Sequence, residues 1–257
     1  MELYIDGKKV YYEDKGSGDV LLLLHGWGSS HKAFSPIIDE LSKYMRVIAP
    51  DLLGFGSSDA LDSPWRVDDY VSFTEKLLNM LNINKLSVLG HSYGGRIIIK
   101  LASKPNSSVE FDKIVLVNAA GLRSRRSLKT RFRQLCFKTG KAIYSLPIIR
   151  SIYPDAIEEL RSRYGSSDYK NATPVMRQTL VNSVNEDLTP LLSRITQPTL
   201  LIWGDKDTAT PLAHAKIMEK HIADSGLVVF ENAGHFSFLD KPYEFMLVLK
   251  SFFDITR

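Results

Sequence analysis

Cysteine is nearly absent from this 257-residue chain, in which Cys136 stands alone. No disulfide can form within it, and a reducing compartment suits such a chain, so a cytoplasmic protein is expected. Long apolar runs are missing too, since none approaches the roughly 20 residues needed to cross a bilayer. The opening Met1-Glu2-Leu3-Tyr4-Ile5-Asp6-Gly7 has neither a basic start nor an extended apolar stretch, which argues against a secretory signal. No His, Cys or carboxylate cluster has metal-ligand spacing, and no glycine loop is built to cradle phosphate, so neither a metal nor a cofactor is expected. A net charge of +4 is too small to point to nucleic acid. There are no repeats and no low-complexity stretches. Monomer and homodimer both remain open.

What is present is an ordinary globular composition, 44% apolar and 24% charged, long enough for one large domain or one domain with an insertion. Leu3-Tyr4-Ile5 and Lys8 to Tyr12 flank Asp6-Gly7, a strong hairpin signal. Val20 to Leu24, Arg46 to Ala49, Lys113 to Val117, Thr199 to Trp203 and Leu227 to Phe230 are short apolar runs, as expected of strands buried on both faces. Helical spacing predicts helices over about Phe34 to Leu41, Asp68 to Leu81, Pro211 to Ile222 and Pro242 to Phe253. Alternating strands and helices imply an α/β fold with a mostly parallel sheet covered by helices on both faces. Ligands in such folds bind beyond the carboxyl ends of the strands.

The chain is organised around Leu86-Ser87-Val88-Leu89-Gly90-His91-Ser92-Tyr93-Gly94-Gly95, followed by a helical pattern through Ile97, Ile98 and Leu101. An apolar strand runs into Gly-x-Ser-x-Gly and then a helix. The glycines permit a strained, crowded turn that pushes Ser92 out of the sheet edge with its Oγ exposed. This stretch resembles the nucleophile elbow of the α/β-hydrolase superfamily, and the resemblance extends from about Val20 to Phe253, weakest between Leu122 and Leu192. It implies an α/β-hydrolase fold and a Ser–acid–His order along the chain. The acid then falls on Asp207, in Trp203-Gly204-Asp205-Lys206-Asp207, with Asp205 as runner-up. The base falls on His235, in Asn232-Ala233-Gly234-His235-Phe236. His25-Gly26-Trp27-Gly28 resembles the family's H-G-x-G loop, so the backbone N–H groups of Trp27 and Tyr93 are the expected oxyanion donors. His25, Trp27, Tyr93, Leu122 and Phe236 are the candidate pocket residues. His25 and His91 read as loop-shaping, and His31, His214 and His221 as solvent-facing. Asp51 to Asp59 resembles the family's D-x-x-G-x-G-x-S segment and reads as structural. Asn118 occupies the place where some relatives keep their acid; with Asp207 present, none is needed there.

Between Leu122 and Leu192 the strand–helix alternation stops. This segment reads as a helical cap, residues 122–192, inserted into a core made of residues 1–121 and 193–257. Its charge differs from the rest: from Gly121 to Pro190 there are 13 Lys and Arg against 6 Asp and Glu. Leu128 to Leu146 is basic and amphipathic, with Leu128, Phe132, Leu135, Ile143 and Leu146 near one face and no acidic residue from Leu122 to Ala142. A cap helix with its apolar underside over the cleft is expected. The same pattern fits contact with an anionic membrane surface or with acidic substrates. Cys136 reads as packing.

The resemblance implies a serine hydrolase of small carboxylic esters that works through an acyl-enzyme. Serine at the nucleophile position argues against dehalogenase and epoxide-hydrolase chemistry, which uses aspartate there in this fold. Carbon–carbon, lactone, amide or thioester hydrolysis would use the same three residues, although His91 before the serine favours an ester. A non-enzymatic ligand receptor on the same fold is the third reading.

Overall fold

The computed structural model describes residues 1–105, 107, 109–123, 128–153 and 166–255. Its centre is an eight-stranded sheet in the order β1-β2-β4-β3-β5-β6-β7-β8. Strands β1 (Glu2–Ile5) and β2 (Lys8–Lys15) form the expected hairpin. Asp6 and Gly7 both take positive φ, 50° and 78°, as the tight turn between twisted strands demands. β2 lies antiparallel to β4 (Arg46–Pro50). From there β3 (Val20–Leu24), β5 (Lys85–His91), β6 (Glu110–Val117), β7 (Thr199–Gly204) and β8 (Ser225–Phe230) continue in parallel. β6 and β8 start earlier than the apolar runs alone suggested, because Glu110 already pairs with Lys85 and Ser225 with Thr199.

Successive side chains of a strand point to opposite faces, so a continuous apolar run must be covered twice. β3 shows this. Leu22 and Leu24 join one core with Tyr70, Ile97 and Met218, while Leu21 and Leu23 join another with Phe34, Ile38 and Phe245. All four leucines are fully buried, worth about 1.5–3 kcal/mol each. Helices α2 (Val67–Met80), α3 (Tyr93–Ala102) and α8 (Leu212–His221) cover the first face. A 3₁₀ turn at His31–Phe34, α1 (Ser35–Leu41), α9 (Ser237–Asp240) and α10 (Pro242–Phe252) cover the second. Pro36 and Pro242 sit in first turns, where the missing N–H costs nothing.

Between β6 and β7 come α4 (Leu128–Tyr144), α5 (Pro147–Ile152), α6 (Ser167–Asn171) and α7 (Pro174–Asn185), with no strand among the described residues. α7 is capped by Thr173, whose side chain accepts from the Met176 amide, and it is bonded to the sheet domain. Trp65 N–H donates to Thr179 Oγ1 (3.0 Å), Asn182 Nδ2 donates to the Trp65 carbonyl (3.1 Å), and Arg96 donates to the Glu186 carbonyl (2.8 Å). α4 and α5 differ. Leu135, Ile143 and Leu146 were expected on an underside over the cleft, but they are 61%, 46% and 53% exposed. The half-buried face of α4 is Cys136, Phe137, Gly140 and Tyr144, with the Phe137 ring against Tyr169 of α6. Leu128 and Phe132, expected on the same apolar face, lie outside the residues whose side chains are described.

Two histidines expected at the surface are inside. His31 is buried because its Nδ1 and its backbone N–H both meet Asp51 Oδ1, at 2.8 and 2.7 Å. His214 is buried on α8, and burial lowers its pKa. His221 is exposed, as expected. Among the described residues, no helix is long and apolar enough to cross a membrane.

Candidate active site

The sequence Gly90-His91-Ser92-Tyr93-Gly94 joins the end of β5 to the start of α3 with a single abrupt residue. Ser92 has φ 50° and ψ −108°, outside the regions ordinary residues occupy, at a cost of roughly 1–3 kcal/mol. The surroundings impose that geometry. Ser92 N–H donates to the Val117 carbonyl (3.1 Å), and the Ser92 carbonyl accepts from the Ala120 amide (2.9 Å). The motif glycines make room for the turn. A Cβ on Gly94 would stand 1.9 Å from the Leu24 carbonyl oxygen, and one on Gly90 2.6 Å from the Gly95 nitrogen. β3, β5 and α3 therefore approach as they do only without side chains at these two positions.

The strained serine meets the predicted base. His235, in the loop after β8, places Nε2 2.9 Å from Ser92 Oγ. Its Nδ1 lies 2.9 Å from Asp207 Oδ2, in the loop after β7. Ser92, His235 and Asp207 thus form one hydrogen-bonded chain, although Ser92 lies more than a hundred residues from the other two in sequence. With Nδ1–H donating to Asp207, Nε2 is left to accept the Ser92 hydroxyl, and an imidazole so held can take that proton. The runner-up acid is not brought there: Asp205 instead pairs with Lys206 at 3.0 Å.

Asp207 is held by more than the imidazole. Its side chain is wholly buried. Oδ1 accepts from the Ala209 and Thr210 amides at 2.8 and 2.9 Å. Oδ2 accepts from Asn118 Nδ2 at 2.7 Å and Thr210 Oγ1 at 2.6 Å. Burial by itself would raise its pKa. The hydrogen bonds from His235, Thr210 and Asn118 outweigh that and keep the carboxyl well below the usual carboxylate range. It is therefore an anion at neutral pH.

Asn118 and Thr210 bind the acid directly and Ser237 binds Asn118, none of which the motifs predict. Asn118 sits at φ 45° after β6, fully buried, with Oδ1 accepting from Ser237 Oγ at 2.5 Å. The place where some relatives keep an acid is here the clamp on Asp207. The available signal was an asparagine, tolerant of positive φ, directly after a buried strand.

The other motif histidines are fixed and neutral. His91 Nε2–H donates to the His235 backbone carbonyl at 2.9 Å, and its ring packs on those of His235, Phe236 and Phe238. Burial, followed by the neighbouring His235, lowers its pKa to about 3. His25 Nδ1–H donates to the Gly26 carbonyl (2.8 Å), while Nε2 accepts from the Leu52 amide (3.0 Å). Burial lowers its pKa to about 4. Both nitrogens of His25 are thus engaged within a buried ring, which supports the loop. The Asp51 segment is structural: Oδ2 accepts from the Ser57 amide (2.8 Å) and the Asp51 carbonyl accepts from Ser58 Oγ (2.7 Å).

Around Ser92 stand the remaining candidates. Tyr93 begins α3, so its N–H has no carbonyl one turn back to bond. Neither that amide nor the Trp27 amide has an acceptor among the described residues. The Tyr93 ring is buried between Trp27 and Tyr70, edge to face at 5.3 and 5.4 Å. Its hydroxyl donates to Ser183 Oγ (3.0 Å), since Ser183 itself donates to the Thr179 carbonyl. Leu122 is buried, and Phe236 is 42% exposed with its ring 5.6 Å from His235. Trp27 opens onto a cavity of about 340 Å³ lined also by Phe55, Asp168, Ala172, Thr173 and Met176. Among the described residues, no cluster of His, Cys, Asp or Glu could hold a metal.

Comparisons with known proteins bear on the family and the fold. Residues 19–242 match the family model described as the alpha/beta hydrolase fold. The solved esterase of Exiguobacterium antarcticum is 27% identical, with 96% of each chain covered and a TM-score of 0.76. Lipase 1 of Psychrobacter immobilis is 26% identical over 89% of this chain and 75% of its own. The 2-hydroxymuconate semialdehyde hydrolase of Pseudomonas sp. (strain CF600) is 25% identical over 98% of this chain and 92% of its own. With its sheet order, its strained serine and a match over most of its length, the chain belongs to the α/β-hydrolase family.

Proposed function

We propose that this protein is a serine hydrolase of small carboxylic esters, with Ser92 as nucleophile, His235 as base and Asp207 as the group that orients the base. The observation that carries the reading is the unbroken chain Ser92 Oγ–His235 Nε2 and His235 Nδ1–Asp207 Oδ2, each link 2.9 Å. Ser92 Oγ attacks the ester carbonyl as His235 Nε2 takes its proton. The oxyanion accepts hydrogen bonds from the Trp27 and Tyr93 amides. Collapse expels the alcohol, which receives the proton from His235 and leaves an acyl group on Ser92. Water then attacks that acyl carbon with its proton going to His235, the acid departs, and Ser92 regains its hydrogen. Asp207 stays ionised throughout and stabilises the imidazolium.

The segment 122–192 acts as the cap in this reading, and the cavity beside Trp27 is the substrate pocket. Phe55, Ala172 and Met176 give it apolar walls, and Asp168 adds an acidic group. No Lys or Arg lines it among the described residues, so a neutral ester fits better than a substrate bearing a carboxylate. Carbon–carbon cleavage is the second reading, favoured by the likeness to the 2-hydroxymuconate semialdehyde hydrolase. The test is hydrolysis of p-nitrophenyl esters, from acetate to decanoate, by wild type and Ser92→Ala. Wild-type turnover with a loss approaching ~10⁶-fold in the variant is expected. Equal rates in both proteins would remove Ser92 from the chemistry. An inert wild type would turn the search to carbon–carbon substrates.

A further inference from the structure

We infer that the face formed by α4 and α5 is a docking surface for anionic lipid bilayers. Large apolar side chains stand in water along it: Leu135, Ile143, Leu146, Ile148 and Tyr153 are 61%, 46%, 53%, 77% and 59% exposed. Leu135 and Ile143 share one face of α4, and Leu146, Ile148 and Tyr153 follow within ten residues. On α4, positions 135, 138, 139, 142 and 143 fall within about two-fifths of the helix circumference at 100° per residue, and all five are exposed. The opposite face, Cys136, Phe137, Gly140 and Tyr144, is half-buried. The helix therefore shows Leu135 and Ile143 outward while Phe137 on the other side meets Tyr169 of α6. Five large apolar groups on one two-helix unit exceed what an isolated surface residue represents, and such a patch calls for a partner.

Charge identifies the partner. From residue 128 to 153 the sequence holds six Lys and Arg and no Asp or Glu. A second copy of this chain would bring the same basic unit to the interface and be repelled. An anionic bilayer supplies the opposite sign at its headgroups and an apolar layer just beneath, which is what a basic helix with exposed Leu and Ile fits. α7 is anchored to the sheet domain by Thr179, Asn182 and the Glu186 carbonyl. α4 and α5 thus precede a fixed support in the same segment.

Binding is read without any ester present, so its outcome is independent of the hydrolase reading. The full chain would be sedimented with vesicles of phosphatidylcholine, with and without phosphatidylglycerol, at low and high salt. Salt-sensitive binding to the phosphatidylglycerol vesicles is expected, and roughly tenfold or more weaker partition to phosphatidylcholine alone. The Leu146→Asp, Ile148→Asp double variant is expected to lose binding by at least about tenfold. Its thermal unfolding and soluble-ester hydrolysis should match wild type, since both positions are exposed. No binding to the anionic vesicles at low salt, equal binding to neutral ones, or unchanged binding by the variant would overturn the inference. So would a homodimer that dissociates on the same substitutions, because the face would then belong to a second copy.

Discussion

Replacing Asp207 by asparagine tests the centre of the site, because it changes one atom type and nothing of the shape. The carboxylate accepts five hydrogen bonds: two on Oδ1 from the Ala209 and Thr210 amides, and three on Oδ2 from Asn118, Thr210 and His235. An asparagine has one acceptor oxygen. The two backbone amides cannot turn away, so the oxygen takes the Oδ1 place and the NH₂ group faces Asn118 Nδ2 and His235 Nδ1. The Thr210 hydroxyl can rotate to accept, but the imidazole can avoid a donor–donor contact only by moving its proton to Nε2. That tautomer points a hydrogen at Ser92 Oγ and cannot act as base. The expected loss is about 10³–10⁴-fold in kcat, or about 4–5 kcal/mol of barrier, with KM little changed. The assay is steady-state hydrolysis of the best p-nitrophenyl ester at neutral pH, with Asp205→Asn as control, expected to stay within about twofold of wild type. A loss below about tenfold for Asp207→Asn, or a larger loss for Asp205→Asn, would refute the assignment of the acid.

Two further outcomes follow from the same packing. Gly94→Ala drives a methyl to 1.9 Å from the Leu24 carbonyl oxygen, and is expected to cost about 3 kcal/mol or more. Gly226→Ala, which meets nothing within 4 Å, should be near neutral; comparable urea midpoints for the two would contradict the crowding. His25 and His91 have folded pKa values of about 4 and about 3, below the unfolded value of about 6.5. As pH falls below about 6.5 the unfolded chain binds these protons first, so stability present at neutral pH is lost on acidification. With two such groups the slope reaches about 2–3 kcal/mol per pH unit between pH 6 and 4. A urea midpoint that stays flat over that range would show that these rings are not buried and neutral.

The parts of the protein legible in its sequence are those with a local cause. Asp6-Gly7 needs positive φ, Gly94 must let a backbone past, and β3 must be apolar on both faces, so each leaves its mark within a few residues. Ser92, Asp207 and His235 could be nominated because each follows a strand and stands where the resembled family's pattern puts its serine, acid and histidine. Their meeting depends on the parallel sheet bringing those strand ends together. What stayed hidden has a distant cause. Asn118 holds the acid from a loop 89 residues away in the chain, and Ser183 meets Tyr93 only once α7 has docked. His31 looked solvent-facing until Asp51, twenty residues on, supplied the partner that lets it be buried.

The basic helix shows the same division most plainly. Apolar residues at helical spacing specify that α4 has an apolar side, because periodicity belongs to the helix itself. They do not specify what that side meets. A cleft beneath the helix and a bilayer above it would both reward Leu135 and Ile143. The other face carries an inward contact, Phe137 against Tyr169 of α6, and Leu135 and Ile143 on the far side face outward. A helix with apolar groups on two sides can be oriented only by its strongest neighbour, and the side left over becomes available to something outside the chain.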